Sequence, residues 1–95
     1  MKGNSKSIKK EINFKELKIL LYHYKINSLK RSKSNIEAFD QNNNLIWIAE
    51  LPTSGLYYEM QFDETNDTIE ANDGGGMHYI IELTQGKIVD KMLIK

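Results

Sequence analysis

Apolar and polar positions alternate with a period of two through most of the chain beyond residue 34. Tyr58, Met60 and Phe62 fall on one side of a segment whose other side carries Tyr57, Glu59 and Gln61. Met77, Tyr79, Ile81 and Leu83 repeat the same spacing. A period of two is the signature of a half-buried β-strand. The pattern predicts strands over residues 35–40, 45–50, 57–62, 68–71, 77–83 and 88–94. Turn-forming clusters separate them: Gln41-Asn42-Asn43-Asn44, Thr53-Ser54-Gly55, the polar stretch 63–67, Asn72-Asp73-Gly74-Gly75-Gly76 and Thr84-Gln85-Gly86. Asn and Gly tolerate the positive φ that tight hairpins require. Residues 45–50 are apolar on both sides (Leu45, Trp47 and Ala49 against Ile46 and Ile48), which predicts a central, buried strand. Pro52 ends it, because proline has no N–H for a ladder.

The first third of the chain is harder to read. Phe14, Leu17, Leu21 and Tyr24 recur at helical spacing. Leu20, Tyr22, Tyr24 and Ile26 recur at strand spacing. The Ile/Tyr content of 18–26 favours a strand, with a helix as the alternative. Residues 1–11 are polar and basic, which predicts a disordered tail. Residues 28–34 read as a basic connector. The fold expected is mainly β: one domain over residues 12–95, built as a twisted antiparallel meander of six to seven strands.

Charge changes the picture more than composition does. Residues 1–34 hold ten of the thirteen Lys/Arg and two acids, whereas residues 35–95 hold three Lys/Arg and eleven acids. No Lys or Arg lies between Lys33 and Lys87, a stretch with ten acids. The formal net charge of zero hides a basic head on an acidic body. There is no cysteine, so neither disulfide nor thiolate chemistry is available. No apolar run approaches the roughly 20 residues that span a bilayer. Charged Glu11, Lys15 and Glu16 interrupt any signal-peptide core. The expected location is the cytoplasm.

Candidate chemistry is thin. Asp40-x-Asn42-x-Asn44 begins like a calcium loop, but Leu45 and Leu51 stand where Gly and Glu are needed, so a polar hairpin turn is expected. Asp63, Glu64 and Asp67 cluster three carboxylates at a spacing that matches no standard metal loop. Gly74-Gly75-Gly76 precedes a strand rather than a helix, which is not a phosphate cradle. His23 and His78 lack a Ser, Cys or Glu partner at a telling spacing. No catalytic residue, metal site or cofactor is assigned.

Two segments carry a family resemblance. Residues 38–47, AFDQNNNLIW, and 81–90, IELTQGKIVD, share a strand–turn–strand form about 42 residues apart, inside the longer segments 35–50, NIEAFDQNNNLIWIAE, and 80–95, IIELTQGKIVDKMLIK. They resemble blade hairpins of quinoprotein-type β-propellers, as found in small bacterial proteins that end in a Thr-Gly-Lys hairpin and a terminal Lys. Asp40 and Trp47 match the first hairpin, and Gly86 and Lys87 the second. Asn44 replaces the usual turn glycine, and Asp90 stands where a second Trp would fall. The resemblance implies a twisted antiparallel sheet and no activity. No cofactor position of the large propellers maps onto this chain.

The acids suggest an interaction surface. Glu59, Glu70 and Glu82 each lie on the polar side of their strand. If those strands are neighbours, the three carboxylates share a sheet face, with Asp63, Glu64 and Asp67 at its end. Tyr57, with Tyr58 and Trp47, is an aromatic anchor expected beside them. The expectation is a small non-enzymatic binding module, an inhibitor or immunity-type protein, capping a basic partner such as a nuclease or defence protein. The alternatives are nucleic-acid or membrane-surface contact through residues 2–33, or a structural domain.

Overall fold

The computed structural model describes residues 7–23, 34–52 and 56–93. Most of the basic connector, the turn expected at 53–55 and the start of the tail lie outside them. Eight strands form in chain order: β1 (Ile8–Phe14), β2 (Leu17–Tyr22), β3 (Ile36–Phe39), β4 (Leu45–Ile48), β5 (Tyr57–Asp63), β6 (Thr68–Asp73), β7 (Met77–Glu82) and β8 (Ile88–Leu93). They make two four-stranded antiparallel sheets, β1-β2-β3-β4 and β5-β6-β7-β8. Each sheet is a meander of consecutive strands.

The β class is as the alternation predicts, but its organisation differs. Two meanders replace one, and eight strands replace six to seven. Residues 8–11, expected in a disordered tail, belong to β1. Residues 12–22 divide into two strands and are not helical. Their turn is Lys15–Glu16, with Lys15 at φ 54°. A lysine seldom adopts this left-handed conformation, so the turn carries no Gly, Asn or Asp signal.

Period-two alternation gives each sheet one apolar face, and the two faces share a core. In the first sheet the row Ile12, Ile19, Ala38 and Trp47 lies beside Leu21 and Ile36. In the second, the inward rows are Met60, Ala71 and Tyr79, and Phe62, Ile69 and Ile81. Tyr57 and Tyr79 meet edge to face at 5.7 Å. Phe14 and Phe62 join the sheets at 5.2 Å. Such aromatic pairs add about 0.5–1.5 kcal/mol beyond their burial.

Polar groups also stitch the sheets together. Asn35 is buried; its Nδ2 donates to Tyr57 O and Tyr22 O, both at 2.8 Å, and its Oδ1 accepts from Tyr57 N at 2.9 Å. The amide thus pairs with the Tyr57 backbone as a neighbouring strand would. Trp47 Nε1 donates to Leu83 O at 2.9 Å, and Glu50 N donates to Gly86 O at 2.9 Å. Lys9 and Lys10 Nζ donate to Tyr58 O and Met60 O at 2.6 and 2.7 Å. These two lysines cap carbonyls along β5, a strand at the edge of its sheet, which discourages pairing with another chain.

Residues 45–50 are not a central strand. β4 ends the first sheet, and Leu45 and Ile46 are 50% and 47% exposed. A bulge between Ala38 and Phe39 inserts Ile46 as an extra residue on β4. Trp47 alone among residues 45–48 is buried. β3–β4 and β7–β8 are the last two strands of their respective sheets. Trp47 from the first hairpin lies directly against Gly86 of the second.

Candidate interaction face

The outer face of the second sheet follows from its register. One row carries Asp63, Thr68 and Glu82; the next carries Gln61, Glu70, Ile80 and Asp90; the third carries Glu59, Asn72, His78 and Met92. Glu59, Glu70 and Glu82 therefore share a face, as the alternation predicts. These three rows contain five acids and no lysine or arginine. Like charges directly opposite on neighbouring strands are destabilising. Here no two carboxylates occupy adjacent strands of one row. Asp63 and Glu82 flank Thr68, and Glu70 and Asp90 flank Ile80.

Several acids have a task within the fold. Each of four hairpin or turn segments begins with a carboxylate that accepts N–H groups of its own loop. Asp40 Oδ1 accepts from Asn42 N and Asn44 N at 2.8 and 2.9 Å. Asp63 Oδ1 accepts from Thr65 N at 2.9 Å, and its Oδ2 accepts from Asn66 Nδ2 at 3.0 Å. Asp73, which is buried, accepts from Gly75 N and Met77 N on Oδ1 and from the Tyr79 hydroxyl on Oδ2. Glu82 accepts from the N–H groups of Thr84, Gln85 and Lys87 and from the Thr84 hydroxyl. Asp and Asn side chains favour such turns because they replace missing backbone partners. Glu50 works across the sheets: its Oε1 accepts from Ile88 N at 2.8 Å.

These bonds set the acidity of the loop carboxylates. The N–H and amide of Asn44, then the N–H of Asn42, hold Asp40 below its usual range. Asn66's amide, then the N–H groups of Thr65 and Asn66, do the same for Asp63. For Glu82, burial pushes upward, but the Thr84 hydroxyl and the loop N–H groups outweigh it and the carboxyl falls. Asp63 and Glu82, expected as partner contacts, are hairpin caps.

Tyr57 is not at this surface. It is 1% exposed, and its hydroxyl donates to Glu50 O at 2.6 Å. A bulge between Tyr57 and Glu59 shifts the register, so Tyr57 and Met60 both point inward. Tyr58, at 62% exposure, takes the outward position beneath the Lys9 ammonium, 3.9 Å from its ring centroid. A bulge reverses the facing of every residue on one side of it, and nothing in the alternation marks this one. Glu64 and Asp67 are exposed in the β5–β6 turn, with Asp67 at φ 54°.

The centre of the face is a small dent of about 40 Å³ lined by Glu59, Met60, Gln61, Glu70, Asn72 and His78. His78 Nδ1 lies 2.6 Å from Asn72 Oδ1, and Nε2 lies 3.2 Å from Glu70 Oε1. This His–Glu contact crosses from β7 to β6, eight residues apart in sequence, so sequence spacing conceals it. Glu59 Oε1 accepts from Met60 N at 3.1 Å. Among the described residues, no group of three or more His, Asp or Glu is placed to hold a metal ion. No helix among them is long and apolar enough to cross a membrane. No protein-family model, curated protein or solved structure matches this chain.

Proposed function

We propose that this chain is a small non-enzymatic binding module, an inhibitor or immunity-type protein, that caps a basic partner with the outer face of β5–β8. The partner class is a cationic protein such as a nuclease or defence protein met in the cytoplasm. One observation carries the reading: three adjacent outward rows of one sheet hold five acids and no cation. A field of one sign speeds encounter with an opposite charge and fixes orientation more than it adds affinity. Glu59 and Glu70 are the central contacts, with Glu64 and Asp67 at the rim. Tyr58 supplies the exposed aromatic at the β5 edge. Asp63 and Glu82 contribute charge from fixed positions.

The same reading treats each four-stranded meander as a blade-like unit related to its neighbour by the 42-residue echo. Asp40 and Glu82, each capping the hairpin between the third and fourth strands of its sheet, support that correspondence.

The test is capture of basic proteins from a native lysate by immobilised wild-type protein and by Glu59→Lys/Glu70→Lys. Both substituted side chains lie outside the loop caps, so the variant is expected to fold. A partner retained by wild type and lost from the folded variant supports the proposal. Equal retention by both overturns it.

A further inference from the structure

We draw no further inference here: the strongest candidate, the open groove beside β8 where Leu51 and Val89 stand exposed near Ile88 and Tyr79, has nothing in the structure to show what covers it.

Discussion

At Gly86 a single added methyl group should be strongly destabilising. A β-carbon built there falls 2.4, 2.8 and 3.0 Å from Cε3, Cδ2 and Cζ3 of Trp47. Those atoms belong to a rigid indole ring held by its bond to Leu83 O. Turning the ring away forfeits that bond, worth about 0.5–1.5 kcal/mol. Gly86 also has φ +73°, a left-handed conformation costing a residue with a β-carbon about 1–2 kcal/mol. Keeping the ring in place instead overpacks it, at about 1–3 kcal/mol on top of the backbone cost. Gly86→Ala is therefore expected to destabilise by about 2–5 kcal/mol. A chain of this length has roughly 5–14 kcal/mol in all. With a urea slope of about 1.5 kcal/mol/M, the midpoint falls by about 1–3 M.

The assay is urea unfolding followed by fluorescence of Trp47, the single tryptophan of the chain. Two companions separate the causes. Gly86→Asn tolerates the left-handed backbone but carries the same β-carbon, so it should recover only the backbone part. Gly74→Ala meets no atom within 4 Å and has no positive φ, so its stability should stay within about 0.5 kcal/mol of wild type or rise. Gly86→Ala unfolding at the wild-type midpoint would refute the packing of the two hairpins through Trp47.

Further outcomes follow from the buried polar groups and the loop caps. Asn35→Ala leaves the Tyr57 N–H without its buried side-chain acceptor and takes one donor from each of the Tyr22 and Tyr57 carbonyls, and is expected to cost about 2–4 kcal/mol by urea unfolding. Asn35→Asp keeps the acceptor but sets a carboxylate against two carbonyls, and should not restore stability. Thr68 Oγ1 is buried without a hydrogen-bond partner, so Thr68→Val should be neutral or stabilising by about 1 kcal/mol in the same assay. The lowered pKa values of Asp40, Asp63 and Glu82 mean that the unfolded chain binds protons more readily than the native one. Their stabilisation is present above the unfolded-state values near pH 4 and is lost as pH falls through the folded-state values. Thermal midpoints of wild type should fall from about pH 4 downward, and Asp40→Asn/Asp63→Asn should show a shallower fall.

The parts of this fold legible in the sequence are those where side-chain period and turn chemistry agree. Met77, Tyr79, Ile81 and Leu83 read as one face and form one face. The Asn-rich run 41–44 reads as a turn and is one, with Asn43 at φ 66°. The β1–β2 hairpin was hidden because its turn uses Lys15 and Glu16, which carry no turn signal. Two bulges, at Ile46 and near Tyr58, changed the facing or pairing of residues that simple alternation places otherwise. That is why Leu45 is exposed and Tyr57 buried, against expectation. β4 reads as central because both its sides are apolar, yet strand order is a tertiary fact that local pattern does not encode. Parity placed Glu59, Glu70 and Glu82 on the polar side of each strand, and the adjacency of β5, β6 and β7 brings them onto one face. The loop-capping role of Asp63 and Glu82 also had a signal, since each acid ends a strand just before a polar turn. His78 against Glu70 had none.

The outer face of β5–β8 is the surface proposed to take up a basic partner. The most direct measurement is an amide chemical-shift map of the ¹⁵N-labelled protein titrated with the captured partner at low and moderate salt. Shifts should concentrate at Glu59, Gln61, Glu70, Asn72 and His78, weakening as salt rises and screens exposed charge. Shifts confined to β1 and β2, with the outer face of β5–β8 unmoved, would contradict it.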